Sequence, residues 1–186
     1  MGALLFIWKM ERAEFKNRIY LLSGSFHSGK TTFCLKLYLD AQKRKIKISG
    51  LLSLPVFEGS QKVAIISLNL QRAESMLLAS RRGEGIEFPE LPSWKFNPEA
   101  FFWGNMVLER SVPTELLIID ELGPLEFIYK EGWTYAFQVL LKGGFESAVV
   151  VVRPELVPQA QKIWHNSILL DPSQSPDLLL RNLRGN

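Results

Sequence analysis

Two glycines separated by four residues, and followed at once by a lysine and two threonines, constrain this 186-residue chain more than any other feature. The stretch fits the pattern G-x-x-x-x-G-K-[ST] without a gap or a substitution. Its residues are Gly24, Ser25, Phe26, His27, Ser28, Gly29, Lys30, Thr31 and Thr32. A β-prone apolar run precedes it at residues 19–23, and leucines spaced among helix formers follow it up to Arg44. We therefore predict a strand, a phosphate-binding loop and a helix in that order.

The spacing within this stretch suits a loop that surrounds phosphate groups with backbone N–H donors. Gly24 and Gly29 permit the positive φ or the close backbone approach that such a loop needs, and the N-terminus of the following helix adds its dipole. Lys30 is placed to reach the β and γ phosphates, Thr31 is the expected Mg²⁺ ligand, and Thr32 can donate to the α phosphate. A simple Gly-Ser turn would match the same letters, but the strand and helix on either side favour a nucleotide-binding loop.

Length and composition indicate one globular domain. The chain is long enough for one sizeable α/β core and short for two, and its 47% hydrophobic and 22% charged residues exclude a disordered or fibrous chain. The net charge of +3 includes no long basic run, so nucleic-acid binding is not indicated. We assign residues 18–186 to a P-loop NTPase domain and residues 1–17 to an N-terminal extension, which is partly non-native if Met10 is the natural first residue.

The single cysteine and the apolar N-terminal run bear on the cellular compartment. Cys34 has no partner for an intramolecular disulfide, and its place inside the loop helix predicts a buried side chain in a reducing compartment. The apolar run at residues 4–8 is too short to span a membrane and lacks the cleavage site of a signal peptide. We therefore expect a cytoplasmic protein without a membrane partner. The oligomeric state stays open, and a monomer is compatible with the sequence.

Four consecutive apolar residues that end in two carboxylates form the second informative stretch. Residues 116–119 are Leu-Leu-Ile-Ile, and Asp120 and Glu121 follow them. This pattern predicts a strand buried on both faces, and ligands of open α/β sheets bind at the carboxyl ends of such strands. Asp120 is therefore predicted to hold Mg²⁺ together with Thr31. Glu121 is placed to deprotonate an attacking water, which favours hydrolysis over transfer to a small molecule.

A further buried strand is predicted at residues 148–152, and it carries Arg153 to the same edge of the sheet. Arg153 is a candidate for stabilising charge on the γ phosphate, a role that brings about 10³–10⁵ in rate in other enzymes. An ion pair with Glu155 or Asp120 at the end of the strand explains this arginine equally well. Both interpretations stay open at this point.

Two other sets of side chains have a structural explanation that the sequence favours. Arg81 and Arg82 are weaker candidates for the γ phosphate, and a solvated loop explains them better. A group of aromatic residues could stack on a nucleobase or meet a partner, but core packing is the better explanation. This group comprises Phe88, Trp94, Phe96, Phe101, Phe102 and Trp103.

The segment after the loop helix predicts an antiparallel part of the sheet. Two β-prone runs, residues 48–57 and 62–70, flank a turn that contains a glycine, so we expect a hairpin near an edge of a mixed sheet. Residues 71–82 are interpreted as a short helix and a loop, and residues 94–96 as a short edge strand. A helix capped by Asn97 follows.

Strands and helices alternate in the second half of the chain and end with a helix that reaches Leu183. The hairpin and the helix that lie between the loop strand and the Asp120 strand leave material for a strand inserted between those two. By analogy, such an insertion favours a hydrolase over a phosphate-loop kinase.

With both stretches in view, the chain resembles the small P-loop nucleoside-triphosphatase family that includes the human cancer-related nucleoside-triphosphatase and archaeal and bacterial relatives. The likeness rests on the phosphate loop, the hairpin that begins at Ile48, the stretch from Ile118 to Glu126, and residues 151–153. Many members carry a lysine and a methionine after the glycine of the acidic stretch, where this chain has Pro124 and Leu125. Any role of that lysine does not carry over.

The resemblance implies a RecA-like three-layer α/β sandwich and a slow, Mg²⁺-dependent hydrolysis of ATP, GTP and other nucleoside triphosphates to diphosphate and phosphate. Our leading hypothesis is therefore an enzyme with Glu121, Lys30 and Arg153 as catalytic residues. A nucleoside or nucleotide kinase is the alternative, and the aromatic group is its only candidate for an acceptor pocket. A nucleotide-dependent switch with incidental hydrolysis is the third hypothesis.

Overall fold

A central β-sheet organises the part of the chain that the computed structural model describes, residues 15–89 and 91–183. Its strands are β1 (Arg18–Leu22), β2 (Ile48–Glu58), β3 (Gln61–Asn69), β4 (Ser75–Ser80), β5 (Lys95–Phe96), β6 (Thr114–Leu122), β7 (Phe145–Val152) and β8 (Ile168–Leu170). Within the described ranges they form one eight-stranded sheet in the order β5-β4-β3-β2-β6-β7-β1-β8. Most of the predicted N-terminal extension, including Met10, lies outside the described residues.

The sheet is parallel in one part and antiparallel in the other. The neighbouring strands β2, β6, β7, β1 and β8 pair in parallel, whereas β3, β4 and β5 extend the sheet from β2 through antiparallel pairings. Parallel neighbours need crossover connections, and helices supply most of them here. The mostly parallel sheet with an antiparallel hairpin agrees with the predicted fold class.

Helices cover both faces of the sheet. They are α1 (Lys30–Lys43), α2 (Pro98–Glu109), α3 (Tyr135–Lys142), α4 (Val157–Ile163) and α5 (Asp177–Leu183), with a π-helical turn at Leu125–Tyr129 and a 3₁₀ turn at Pro154–Leu156. One core packs α1 and α5 on the sheet, and a second core packs α2, α3 and α4 on the opposite face. This arrangement confirms the predicted three-layer sandwich. In the described part of the chain no helix has the length and apolar character needed to cross a membrane.

The central strands are buried on both faces because alternate side chains enter different cores. In β6, Leu117 and Ile119 belong to the core under α2 and α3, while Leu116 and Ile118 belong to the core under α1. Each of these four side chains is fully buried. Since successive residues of a strand point to opposite faces, a run of four apolar residues is what a strand between two helix layers requires.

Residues 71–82 are where the predicted structure was wrong. Instead of a short helix, the segment contains β4, which pairs antiparallel with β3 so that Met76 lies opposite Ser67. The apolar run is too short to form a stable helix by itself, whereas the free edge of β3 offers backbone hydrogen-bond partners to a strand. The predicted edge strand at residues 94–96 is confirmed as β5, which forms the edge beyond β4.

A strand does lie between the loop strand and the Asp120 strand, as predicted, but its origin differs from the prediction. The inserted strand is β7, which follows β6 in the sequence, whereas the segment between β1 and β6 forms the strands on the far side of β6. The carboxyl ends of β1, β7 and β6 are therefore neighbours at one edge of the sheet. All the predicted site residues lie at that edge or in the loop that follows β1.

The helix predicted after Asn97 is also present as α2. The Asn97 side-chain oxygen accepts a hydrogen bond from the backbone N–H of Glu99 at 3.0 Å, as an N-cap does. The cap fixes the direction in which α2 leaves β5.

Candidate nucleotide-binding and catalytic site

The loop between β1 and α1 is shaped by its two glycines and by a tight turn. Gly29 has a φ of 89° and His27 a φ of 62°, so both lie in the left-handed region. A Cβ atom on Gly24 would come within 2.6 Å of the Ser28 hydroxyl oxygen. The Ser28 N–H donates to the Ser25 carbonyl at 3.1 Å. Gly29 therefore supplies the positive φ and Gly24 the close approach that the sequence pattern requires.

Lys30 begins α1, and its side chain folds back over the loop. Its Nζ donates to the carbonyl oxygens of Gly24 and Ser25, each at 2.8 Å. These two hydrogen bonds hold a positive charge over the loop, next to the N-terminus of α1. A helix N-terminus and a lysine ammonium that meet at one loop form an environment suited to phosphate groups.

Asp120 lies near the end of β6 with its carboxylate almost completely buried. It accepts a hydrogen bond from the Thr31 side chain and another, at 3.3 Å, from the Ser53 N–H. Burial raises the pKa of Asp120 to about 7, and the neighbouring charge of Glu121 adds to this rise, whereas the hydrogen bonds oppose it. The two residues predicted to hold the metal ion are therefore in contact between the loop and β6.

The groups at this contact fit Mg²⁺. A threonine hydroxyl and a carboxylate are oxygen ligands of the kind that Mg²⁺ takes, usually alongside water and phosphate oxygens. The Asp120 carboxylate is only 2% exposed, and a cation beside it would compensate the charge that burial has removed from water. Thr31 and Asp120 are thus the residues that would hold the ion.

Glu121 and Arg153 form an ion pair across the ends of β6 and β7. The Arg153 Nε donates to Glu121 Oε1 at 2.7 Å, and the two side chains are 33% and 37% exposed, respectively. The predicted partners of Arg153, Glu155 and Asp120, were therefore wrong. Leu122 of β6 pairs with Val152 of β7. Glu121, which precedes Leu122, and Arg153, which follows Val152, therefore reach the same point of the sheet edge. Solvent keeps the pair's contribution to stability near 0–1 kcal/mol, so its main effect is to orient Glu121.

A cavity of about 520 Å³ opens beside Asp120 and Glu121, toward β2, β3 and β4. One part is polar and includes the phosphate loop, the two acids and Arg153. The other part is apolar and is lined by Ile65, Leu78, Leu91, Trp94, Phe96, Phe101, Leu125 and Trp133. We call this whole space the acidic-edge cavity.

Two cations line the acidic-edge cavity: Arg81, a weaker candidate for the γ phosphate, and Lys62, which no sequence pattern singled out. Lys62 Nζ lies 5.3 Å and Arg81 Cζ 5.2 Å from the centre of the Trp94 ring. Burial lowers the pKa of Lys62, and the charge of Arg81 acts in the same direction, while Glu121 and Asp120 oppose it. Lys62 therefore lies within electrostatic reach of both acids. A single lysine in a hairpin strand carries no signal by which a sequence could reveal this position.

Arg82, which follows Arg81 in the chain, behaves as the sequence predicts. The Arg82 side chain is 77% exposed and pairs with Glu58 at 3.2 Å, as expected for a solvated loop. Arg81 differs, because its guanidinium packs on Trp94 at the cavity. The solvated-loop interpretation is therefore confirmed for both arginines, since Arg81 is also exposed, and the contact of Arg81 with Trp94 is an additional feature.

The aromatic group divides between the core and the surface. Phe88, Phe96 and Phe101 are at most 7% exposed and belong to the core on the α2 side of the sheet, as predicted. Trp94 and Trp103 pack against that core, whereas Phe102 is 71% exposed. Core packing is thus confirmed for most of the group and wrong for Phe102, which faces outward from α2.

Glu126 is a buried acid to which the sequence assigned no role. Its carboxylate accepts hydrogen bonds from the backbone N–H groups of Gly123 at 2.8 Å and Trp133 at 2.9 Å. Burial raises its pKa to about 7 against the effect of these hydrogen bonds. A side chain at Gly132 would collide with the same carboxylate. Glu126 therefore joins the two ends of the segment that follows β6 and forms one wall of the cavity.

The phosphate loop and the acidic strand end meet at one edge of a mostly parallel sheet, which is the arrangement that defines P-loop nucleotide-binding proteins. Comparison with known families agrees with this class. A family model described as NTPase matches residues 19–167, and the chain belongs to that family. The resemblance inferred from the two sequence stretches is thereby confirmed.

Curated relatives of the chain carry the name nucleoside-triphosphatase THEP1. The protein of Pyrobaculum aerophilum is 33% identical over 120 residues, which cover 64% of each chain. That of Pyrobaculum islandicum is 32% identical over 117 residues, or 63% of each chain, and that of Methanopyrus kandleri is 27% identical over 107 residues, or 57% of this chain and 58% of its own. The chain thus spans somewhat less than two thirds of the length of these relatives.

Two solved structures share the fold. The solution structure of a human cancer-related nucleoside triphosphatase has a TM-score of 0.68 at 17% identity, and the match covers 91% of this chain and 99% of that one. The crystal structure of THEP1 from Aquifex aeolicus has a TM-score of 0.56 at 17% identity, covering 90% and 94% of the two chains. At this identity the likeness concerns the fold alone.

Proposed function

We propose that the chain is an enzyme that hydrolyses nucleoside triphosphates to nucleoside diphosphate and phosphate, with Mg²⁺ as its cofactor. The observation that carries this proposal is the Glu121 carboxylate, which Arg153 orients beside the contact between Thr31 and Asp120. The name nucleoside-triphosphatase of the curated relatives supports the same reaction. We extend the proposal to ATP, GTP and other nucleoside triphosphates, because the proposed contacts of the loop are with the phosphates and the metal ion, which all of these substrates share.

Binding begins at the phosphate loop. The backbone N–H groups of the loop and the N-terminus of α1 surround the phosphates, while Thr32 donates to the α phosphate. Lys30 exchanges its two carbonyl contacts within the loop for oxygens of the β and γ phosphates. Thr31 and Asp120 would hold the Mg²⁺ ion, which would supply positive charge beside the phosphates.

Hydrolysis then depends on Glu121. Its carboxylate takes a proton from a water molecule as the water oxygen bonds to the γ phosphorus, and the bond from that phosphorus to the bridging oxygen of the β phosphate breaks. Arg153 keeps one carboxylate oxygen of Glu121 in place, which leaves the other free to accept the proton. From the same position the Arg153 guanidinium can offer its remaining N–H donors to the γ phosphate. We propose a cytoplasmic location, for which a buried, unpaired Cys34 is suitable.

The test of this function is the Glu121→Gln variant. Phosphate release, measured with malachite green, should fall by about 10²–10⁴, the range that a general base contributes. Nucleotide binding, measured by isothermal titration calorimetry, should persist because the phosphate loop is unchanged. Glu109→Gln, at an exposed position at the end of α2, is the matched control and should retain full activity. Wild-type hydrolysis by Glu121→Gln would rule out Glu121 as the base.

A Lys30→Ala variant separates the protein's own activity from contamination. Removal of the ammonium should abolish both phosphate release and triphosphate binding, because no other side chain of the loop carries a positive charge when His27 is neutral. Phosphate release that survives in this variant would belong to another protein in the preparation.

A further inference from the structure

The acidic-edge cavity lies on the γ-phosphate side of the nucleotide site. The Thr31 and Asp120 contact marks where the β and γ phosphates bind. At the other end of the loop, a Cβ atom on Gly24 would lie 3.2 Å from Pro172, which follows β8. With its γ phosphate at Asp120 on β6, a bound triphosphate would direct its nucleoside away from β6, toward β1 and β8, whereas the cavity extends from β6 toward β3 and β4. A triphosphate bound in this direction would leave the apolar part of the cavity free of its own base.

The size and walls of the acidic-edge cavity suit a second organic ligand better than water. Its volume of about 520 Å³ falls in the range of about 300–1,000 Å³ that small-molecule sites occupy, and a water molecule takes only about 30 Å³. Phe96, Phe101 and Trp133 line its apolar part, where water would find few hydrogen-bond partners. The proposed hydrolysis uses only the polar part of this space, beside the phosphate loop and the two acids, and leaves the apolar part without a role.

The cations of the cavity, Lys62 and Arg81, lie against one of its aromatic side chains, Trp94. Among the ion pairs of the described residues, Arg82, Lys95 and Arg153 each have a carboxylate partner, but none includes Lys62 or Arg81. Both of these side chains pack on the Trp94 ring, and Lys62 also lies within the electrostatic influence of Glu121. Two cations without a carboxylate partner, next to the γ-phosphate position, form a site for an anionic group.

We propose that the acidic-edge cavity binds a nucleoside monophosphate as a phosphoryl acceptor, with its phosphate against Lys62 and Arg81 and its base among the aromatic walls. The proposal rests on the proposed function, because the same bound triphosphate supplies the phosphoryl group. The position of β7 in the sheet favours hydrolysis over transfer only by analogy with other phosphate-loop folds. The cavity, in contrast, is a feature of this chain's own site.

The transfer step balances without a further reactant. An oxygen of the monophosphate dianion forms a bond to the γ phosphorus, and the bond from that phosphorus to the β-phosphate oxygen breaks. The products are two nucleoside diphosphates, one from each substrate. The attacking oxygen carries no proton, so Glu121 is not needed as a base in this step. Hydrolysis remains the reaction when the cavity holds only water.

The experiment follows the fate of a labelled γ phosphate. The protein is incubated with Mg²⁺, γ-³²P-labelled ATP and, in turn, each of the four ribonucleoside monophosphates, and the products are separated by thin-layer chromatography. The expected result is labelled nucleoside diphosphate with at least one monophosphate, together with a decrease in labelled inorganic phosphate. Monophosphate that binds without accepting label would overturn the acceptor assignment.

Arg81→Met tests the location of the acceptor, and Arg82→Met is its matched control. Loss of one charged contact should raise the KM for the monophosphate about 10- to 100-fold in Arg81→Met, with a much smaller change in the hydrolysis of ATP alone. Arg82→Met removes an exposed charge of the same size that pairs with Glu58, and transfer should be unaffected. Equal effects of the two substitutions would contradict the proposed site.

The labelling experiment distinguishes failure of the acceptor proposal from failure of the proposed function. If ATP is hydrolysed but no monophosphate receives label, the acceptor proposal is wrong and the proposed function stands. If ATP is neither hydrolysed nor used for transfer, both proposals are wrong.

Discussion

At the scale of single residues, Glu126 connects stability to the shape of the site. Its carboxylate is the acceptor for two buried N–H groups, of Gly123 and Trp133. We expect Glu126→Ala to lower the free energy of unfolding by about 2–4 kcal/mol, because each unpaired buried donor costs about 1–3 kcal/mol. Guanidinium denaturation measures the change. Glu131→Ala, at an exposed position in the same segment, should change stability by less than about 0.5 kcal/mol.

The raised pKa of Glu126 leads to a pH dependence of stability. The folded-state pKa of about 7 lies above the ordinary value of 4.5, so between these values the folded chain binds more protons than the unfolded chain. Stability should therefore fall as pH rises from about 4.5 to 7, by an amount on the order of 3 kcal/mol, and level off above that. Burial also raises the pKa of Asp120, which adds a change of the same sign.

The variant Glu126→Gln isolates this contribution, because glutamine does not titrate. Denaturation curves of this variant between pH 5 and pH 8 should give a flatter dependence than the wild type, with the remaining slope due to groups such as Asp120. Identical slopes in the two proteins would show that Glu126 does not change its protonation in this range.

Residues that act through local spacing are predictable from the sequence, and residues that act through tertiary contacts are not. The phosphate loop and the run before Asp120 carry their pattern in consecutive positions, so their placement at one sheet edge follows from parallel-strand geometry. Lys62 contacts Trp94, which is distant in the chain, and the backbone N–H groups of Gly123 and Trp133 reach the Glu126 carboxylate through the local fold of one segment, which no residue pattern announces. Their roles appear only when β3 and the segment after β6 are assembled.

At the scale of secondary-structure elements, α2 approaches the start of α3 through a glycine. A Cβ atom on Gly104 would overlap the six-membered ring of Trp133. We expect Gly104→Ala to destabilise the fold by about 1–3 kcal/mol, the usual effect of overpacking, although alanine is the better helix former. Thermal denaturation followed by circular dichroism measures this loss.

A double-mutant cycle identifies the cause of that loss. Trp133→Leu frees the space that the new methyl group needs, so Gly104→Ala should cost less in that background, with a coupling of about 0.5–3 kcal/mol. Additive effects would mean that the contact with Trp133 is not responsible.

Elements differ in how well the sequence specifies them. The buried strands β6 and β7 lie between two helix layers, and their apolar runs identify them. In β4, by contrast, Leu78 is buried while Leu77 is 47% exposed, and the segment is a strand because it completes the edge of β3. Pairing with a distant strand decided that structure, and short-range spacing could not reveal it.

At the scale of the whole molecule, the two cores lie on opposite faces of one sheet and should unfold together. Leu37 of α1 and Leu140 of α3 are buried in different cores. Replacement of either by alanine should lower the stability of the same transition by about 2–5 kcal/mol, and the two effects should add. The strands β1, β2, β6 and β7 contribute side chains to both cores, which is why one core cannot persist without the other.

Two spectroscopic probes check this expectation. The four tryptophans of the described residues, Trp94, Trp103, Trp133 and Trp164, belong to or pack on the core beneath α2 to α4, so their fluorescence reports on that face. Circular dichroism reports on the helices of both faces. Coincident denaturation curves would support one cooperative unit, and separate midpoints would contradict it.

The order of the strands separates the part of the sheet that carries the proposed phosphate site from the part that supplies much of the cavity wall. The proposed phosphate site lies at the carboxyl ends of β1, β7 and β6, whose many buried side chains leave little freedom for substitution. The antiparallel extension from β3 to β5 joins this unit along β2 alone and supplies much of the acidic-edge cavity. Substitutions in the extension can therefore alter what enters the cavity while the phosphate site keeps its structure, so relatives with the same loop are free to diverge in the molecules that they recognise.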